Sequence, residues 1–252
     1  MKLAVVIPAY NEGATIRAVA SEVLQYGLPL IVVDDGSVDD TVMQLDGLAV
    51  TVLGNEQNQG KAASLWQGMQ YALQQGVDGV ITLDGDGQHR PVDIPRLVAA
   101  AEQRPDSLLI AARLRGRESA PKARLRANKV ADFWISWAAG QWIHDSQSGF
   151  RLYPAGLLRH FSPRPLQGPD ARRYGFVFES EILIEAARRG FPCLALPIDS
   201  IYQHGARASH FRPVADITRI VRMVAWKLVS RGMYLPGLWR AWRTHRQGVL
   251  PD

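Results

Sequence analysis

The sequence predicts an α/β fold with a mostly parallel sheet flanked by helices. Short apolar runs at Leu3 to Ile7, Leu30 to Val33, Val80 to Leu83 and Leu108 to Ala111 read as strands buried on both faces. Stretches of helical periodicity separate several of them. Polar or charged groups follow each run at its carboxyl end, the edge where open α/β sheets bind ligands.

The first strand, Leu3 to Ile7, ends in Pro8-Ala9-Tyr10-Asn11-Glu12. Asn11 is placed to cap the next helix, whose Ile16, Val19, Ala20, Val23 and Leu24 share one face. Gly27 and Pro29 stop that helix. Leu30 to Val33 ends in Asp34-Asp35-Gly36-Ser37, with Asp39-Asp40-Thr41 close behind. Asn58-Gln59-Gly60-Lys61 then opens a helix from about Ala62 to Gln74, and Lys61 brings a cation suited to phosphate.

Val80 to Leu83 delivers Asp84-Gly85-Asp86-Gly87-Gln88-His89. Two acids one residue apart, with Gly between and after them, form a compact oxygen-rich site for a hard divalent ion. Mg²⁺ or Mn²⁺ takes one or two carboxylates and fills its remaining positions with substrate phosphate. An isolated Asp-Gly pair is more often a solvated turn. Three polar strand endings in order favour the ligand site.

VVIPAYNE, IVVDDGSVDDT, NQGKAASLWQGMQYA and ITLDGDGQHRP resemble the family 2 glycosyltransferases in order and spacing. DSQSGFRLY and FESEILIEAARRG are similar to the polyprenol-phosphate mannose or glucose synthase branch, which carries the resemblance to about residue 212. The resemblance implies one nucleotide-diphospho-sugar transferase domain of the GT-A type over residues 1–212, with a nucleotide-sugar half at 1–112 and an acceptor half at 113–212. It implies that Pro8, Tyr10, Glu12 and Asp35 contact the nucleoside, with Lys61 helping. Asp84 reaches the sugar or ribose, and Asp86 and Gln88 hold Mg²⁺ or Mn²⁺. The implied reaction is inverting transfer of a hexose to a lipid acceptor, polyprenyl phosphate first and a membrane-lipid hydroxyl second.

In the second half, Arg113, Arg115 and Arg117 follow the Leu108 to Ala111 strand, and Lys122, Arg124, Arg126 and Lys129 lead into a helix. They read either as an exposed basic loop or as a phosphate clamp, since Arg binds phosphate bidentately. The resemblance assigns the acceptor phosphate to Arg113, Arg124 and Asn128, the last standing where the best-matched synthases carry Ser. Asp145-Ser146-Gln147-Ser148-Gly149-Phe150-Arg151 reads as a salt-bridged turn between Asp145 and Arg151, or as a site with Asp145 as orienting group or base. Glu179 and Glu181, in the loop-to-helix passage after Phe178, are the other candidate bases. Residues 202–213 resemble the mobile loop that closes over the pyrophosphate. His204 occupies the family's arginine position there, with Arg207 and Arg212 nearby and His210 as a less suitable metal ligand.

A chain of 252 residues can bury one sizeable core, and no linker, repeat or low-complexity tract divides it. The single cysteine, Cys193, excludes an internal disulfide and reads as core. Met1 leads directly into the first strand, leaving no room for a signal peptide, and no apolar run approaches the ~20 residues of a membrane span. The expectation is a cytoplasmic protein, peripheral on the cytoplasmic face of a membrane. Residues 1–100 carry 5 Lys/Arg against 12 Asp/Glu, and residues 101–252 carry 24 against 12. An acidic nucleotide half suits a chelated cation, while the basic half needs an anionic acceptor or lipid surface. No nucleic-acid-binding motif accompanies that charge, so nucleic acid is not an expected partner.

Residues 213–252 form the expected amphipathic tail. Val214, Ile217, Ile220, Val221, Val224, Ala225, Leu228 and Val229 mark the apolar face of a helix to about Arg231, with Arg219, Arg222, Lys227 and Arg231 away from it. From Val214 to Arg246 there are seven basic residues, one acid and three Trp. The tail reads either as a helix docked on the core or as an in-plane anchor on anionic lipid. Two other classes compete with the transferase: a sugar nucleotidyltransferase, whose Gly-rich basic loop is missing after the first strand, and a non-catalytic membrane-surface protein.

Overall fold

A computed structural model of the chain describes residues 1–116, 122–161, 175–200, 213–230, 232–245 and 247–251, with 122–124, 175–176 and 213–217 described as backbone only. The described elements, in order, are β1 (Leu3–Ala9), α1 (Ile16–Leu24), β2 (Leu30–Asp34), β3 (Val50–Gly54), α2 (Lys61–Gln74), β4 (Gly79–Thr82), α3 (Ile94–Gln103), β5 (Leu108–Arg115), α4 (Lys122–Ala139), β6 (Arg151–Pro154), α5 (Ala155–His160), α6 (Gly175–Arg188), β7 (Cys193–Asp199), α7 (Pro213–Val229) and α8 (Leu235–Thr244). They divide into two units, one of residues 1–106 and 149–175, the other of 107–148 and 176–252.

In the first unit the strands run in the order β3-β2-β1-β4-β6. β1 pairs in parallel with β2 and β4, and β2 pairs in parallel with β3. β1, β2 and β4 are strands the apolar runs marked: Val5, Val6, Ile7, Val32 and Val33 are fully buried because helices cover both faces. β4 also pairs antiparallel with β6, so its two neighbours run in opposite directions. α2 reaches β1 and β2 closely because Gly68 faces them. A Cβ there would sit 2.5 Å from Val6 and 2.9 Å from Val33.

In the second unit β5 and β7 pair in parallel, with an irregularity between Arg113 and Arg115. β5 extends through Arg115, so Arg113 and Arg115 belong to the strand rather than following it. Cys193 is buried at the start of β7, as expected of a core residue. Glu179 and Glu181 lie inside α6, not in a passage leading to it. α7 and α8 both rest on α4. Among the described residues no helix is long and apolar enough to cross a membrane.

The buried face of α7 is Ile220, Met223, Val224, Lys227 and Leu228. Val221, Ala225 and Val229, expected on that face, are exposed, and Lys227, expected away from it, is inside. The inward lysine is held by Glu181 at 3.1 Å and Glu185 at 2.8 Å on α6. Burial alone raises the Glu185 pKa, but the hydrogen bond and charge of Lys227 outweigh it and bring that carboxyl below its ordinary value.

Candidate active site

The carboxyl ends of β1, β2 and β4 deliver one set of polar groups within the first unit. Asn11 does not cap α1: the helix begins at Ile16 behind Thr15, and Asn11 takes a left-handed conformation, φ 56°. Asx side chains tolerate that region, and Asn11 uses it to tie two loops together. Its Oδ1 accepts from the Val38 N–H at 2.8 Å, while its own N–H donates to Ser37 Oγ at 2.8 Å. The Glu12 N–H donates to Thr41 Oγ1 at 2.8 Å, and Thr15 Oγ1 donates to the Gly85 carbonyl at 2.7 Å. Three loops are thereby joined around Pro8, Tyr10 and Glu12, all half-buried.

Asp35 is 3 % exposed, and its carboxylate accepts the N–H groups of Gln59 and Gly60, each at 2.8 Å, and the Asn55 amide at 3.0 Å. Those bonds fix the chain entering α2 and therefore the place of Lys61, the first residue of that helix. Lys61 Nζ lies 2.8 Å from Asp84 Oδ1, both side chains being about a quarter exposed. Gly149 lies against the same carboxylate: a Cβ there would stand 2.7 Å from Asp84 Oδ2. The absence of a side chain at Gly149 thus lets the backbone lie close to Asp84. Asp86 Oδ1 accepts from the Gln88 N–H at 2.9 Å, closing the turn that carries both side chains. His89 is buried edge-on against Phe150 at 5.8 Å and anchors the far end of the loop.

The donor set of Asp84, Asp86 and Gln88 is all oxygen and fits a hard divalent cation. Among the described residues no cluster of three or more His, Cys, Asp and Glu side chains forms a complete cage. A site of one or two carboxylates completed by substrate phosphate is the arrangement that Mg²⁺ favours.

A second set lies within the second unit. Asp145, 2 % exposed and at φ 51°, receives three hydrogen bonds of 2.8 Å from Arg113: from its backbone N–H, its Nε and one terminal nitrogen. Asp145 is therefore ion-paired with Arg113 on β5. Arg151 is buried in the first unit and donates to the Tyr153 hydroxyl at 3.2 Å. The turn at Asp145 is held in turn by Asp132 of α4, which accepts the Asp145 N–H at 3.2 Å and the Ser146 N–H at 2.8 Å. Burial raises the Asp132 pKa to about 6; the Ser146 hydrogen bond opposes that rise, and the nearby Asp145 charge adds to it.

Asp132 escaped the sequence reading. Its signal was the four-residue spacing after Asn128, and after Arg124 before that, which sets three polar positions along one side of α4. Asn128 is half-buried there. The Arg124 side chain, and all of His204, Arg207, His210 and Arg212, lie outside the described residues. Glu181 is engaged with Lys227, and Glu179 is buried on α6.

The sequence pattern of glycosyl transferase family 2 matches residues 4–161, and the chain belongs to that family. It is a glycosyltransferase, which separates it from the sugar nucleotidyltransferases and from non-catalytic surface proteins. It is 28 % identical over 205 residues to the polyprenol monophosphomannose synthase of Mycolicibacterium smegmatis, covering 77 % of this chain and 75 % of that one. It is 26 % identical over 247 residues to the undecaprenyl-phosphate mannosyltransferase of Micrococcus luteus, covering 92 % and 96 %. A Methanococcus voltae enzyme named for transfer of N-acetylglucosamine to dolichyl phosphate is 28 % identical over 219 residues, covering 78 % and 84 %. Solved GT-A structures share the fold. Glucosyl-3-phosphoglycerate synthase from Mycobacterium tuberculosis, with Mn²⁺, UDP and glucosyl-3-phosphoglycerate bound, aligns at a TM-score of 0.63 and 23 % identity over 91 % of this chain and 79 % of that one. The same enzyme with Mg²⁺ and UDP aligns at 0.59.

Proposed function

We propose that this glycosyltransferase moves a hexose from a nucleotide-sugar to polyprenyl phosphate, with inversion at the anomeric carbon. The observation that carries the donor side is the Lys61–Asp84 pair beside the Asp86-Gln88 turn. Pro8, Tyr10, Glu12 and Asp35 contact the nucleoside, Lys61 faces the pyrophosphate, and Asp84 holds the sugar or ribose. Asp86 and Gln88 hold Mg²⁺ or Mn²⁺, which when bound offsets negative charge on the departing nucleoside diphosphate. The solved relatives that contain UDP with Mn²⁺ or Mg²⁺ support this choice of ion.

On the acceptor side, Arg113, Arg124 and Asn128, with Arg207 and Arg212, hold the phosphate. An oxygen of that phosphate forms the new bond to the anomeric carbon as the bond to the nucleoside diphosphate breaks, and the leaving diphosphate takes the electron pair. The acceptor is already anionic near neutral pH, so positioning supplies most of the rate and no strong base is needed. Asp145 then acts as the orienting partner of Arg113, a role its burial and three hydrogen bonds support. The names of the relatives, which specify polyprenol, dolichyl and undecaprenyl phosphates, support the acceptor class. A lipid acceptor brings the enzyme to an anionic membrane surface, on the cytoplasmic face, with residues 213–252 as an amphipathic tail to a transferase domain at 1–212.

A panel of nucleotide-sugars, incubated with Mg²⁺ or Mn²⁺ and with or without membrane extract, tests the reading. Release of nucleoside diphosphate that needs the metal and rises with extract is the expected result. Release that is indifferent to metal overturns the Asp86-Gln88 assignment, and indifference to extract overturns the lipid acceptor.

A further inference from the structure

α8 is amphipathic in an inverted sense, and α7 carries exposed apolar side chains outside its buried face. On α8 the buried positions are Gly237 and Ala241, one turn apart, while Leu235, Trp239 and Trp242 face solvent, with Trp242 73 % exposed. The small inner face is required by close packing: a Cβ at Gly237 would stand 2.9 Å from the Trp137 carbonyl and closer still to the Tyr234 ring. On α7 a lysine is inside, 8 % exposed, and Trp226 is outside, 65 % exposed. A helix selected only to cover a core in water buries its large apolar side chains and leaves its charges out. On α8 the large apolar groups remain on the outer side, and on α7 Trp226 and Val229 also lie outward although Ile220, Met223, Val224 and Leu228 are buried.

The charge on the same segment is of one sign. No acid occurs between Thr218 and Pro251, whereas Arg222, Arg240 and Arg243 are exposed among the aromatic groups. Arg243 lies over the Trp239 ring, 3.6 Å from its centroid, so cation and indole share one patch. A second copy of this chain would bring like charges together. An anionic bilayer complements both features: indoles settle at the headgroup level while guanidinium groups meet lipid phosphate.

We infer that the outer faces of α7 and α8, while their inner faces stay docked on α4, form a fixed docking surface for anionic phospholipid, with Leu235, Trp239 and Trp242 entering the headgroup layer. The inference rests on the lipid-acceptor reading for its biological sense, but not for its physical test. Docking and anchoring are then one arrangement, not two alternatives.

The test is co-sedimentation of the full chain with phosphatidylcholine vesicles, with and without phosphatidylglycerol, and with no polyprenyl phosphate present. Binding is expected to need the anionic lipid and to weaken with salt. Replacing Arg240→Gln and Arg243→Gln together is expected to weaken it roughly thirtyfold, at about fivefold per basic residue. The pair Trp239→Ser and Trp242→Ser is expected to abolish salt-resistant binding with the melting temperature unchanged. Wild-type binding by both pairs of variants overturns the docking surface. So does a wild-type dimer that the Trp pair dissociates, because the occupant is then a second copy. Vesicle binding without transfer to polyprenyl phosphate leaves the docking surface standing and removes the acceptor assignment.

Discussion

Arg113 grips Asp145 three times, through its backbone N–H and through Nε and a terminal nitrogen on one edge of its guanidinium, each contact at 2.8 Å. The pair joins strand β5 to a left-handed turn and is almost wholly out of water. A carboxylate so occupied orients a guanidinium better than it takes a proton, since a general base must reach the group it deprotonates.

Asp145→Asn keeps the size of the side chain and removes the charge that Arg113 needs. Breaking a buried pair by neutralising one partner costs about 3 kcal/mol or more. The expected result is a clear loss of stability in denaturant melts, with the acceptor KM raised far more than the donor KM. An abolished kcat with unchanged acceptor KM would instead identify Asp145 as the base.

Asp132 predicts a pH signature. Its folded pKa of about 6 lies above the ordinary value of 3.8, so between these two values the folded chain holds a proton that the unfolded chain has released. The contribution of this group to stability is therefore full below about pH 4 and is lost as pH rises through about 6. Asp132→Asn, which cannot ionise, is expected to lack that decline in melting temperature between pH 4 and 6. Above pH 6 the ionised carboxylate accepts both turn N–H groups most strongly, so acceptor binding is expected to sharpen with rising pH in the wild type more than in the variant.

Gly149→Ala separates the donor site from the fold. The new methyl meets the Asp84 carboxylate at 2.7 Å, and that side chain can swing toward water. Stability is expected to change by less than about 1 kcal/mol. Donor turnover is expected to fall roughly a hundredfold, the scale of a misplacement of about an ångström in a reacting site. Stability loss with normal turnover would detach Asp84 from the chemistry.

Asp86→Asn is expected to leave the melting curve intact and to lower turnover by orders of magnitude at saturating Mg²⁺ or Mn²⁺. Isothermal titration with Mn²⁺ and a nucleoside diphosphate present together locates the loss in metal binding. Near-normal turnover excludes the metal role.

The central strands were legible because a parallel strand covered on both faces has to be apolar throughout, as β1, β2 and β4 are. β3, partly exposed, and β6, four residues carrying an arginine, have no such run and could not be read locally. The polar groups of the candidate donor site were legible because they sit at strand ends in a recurrent pattern. Asp132 was not, because its partners are turn N–H groups brought to it by the fold. The inward face of α7 was misjudged because Val221, Ala225 and Val229 repeat at the same four-residue spacing as Ile220, Val224 and Leu228. The α6 carboxylates, distant in sequence, hold Lys227 inward on the side of Ile220, Val224 and Leu228.

Sugar transfer to a lipid phosphate is read from the mass of the lipid product. Purified enzyme, Mg²⁺ or Mn²⁺ and the donor identified by the panel are incubated with either a polyprenyl phosphate or the matching polyprenol. The expected product is one hexosyl residue heavier than polyprenyl phosphate and labile to mild acid, with an equivalent of nucleoside diphosphate and no reaction with the alcohol. A glycosylated polyprenol, or an unaltered polyprenyl phosphate beside a glycosylated lipid hydroxyl, would contradict it.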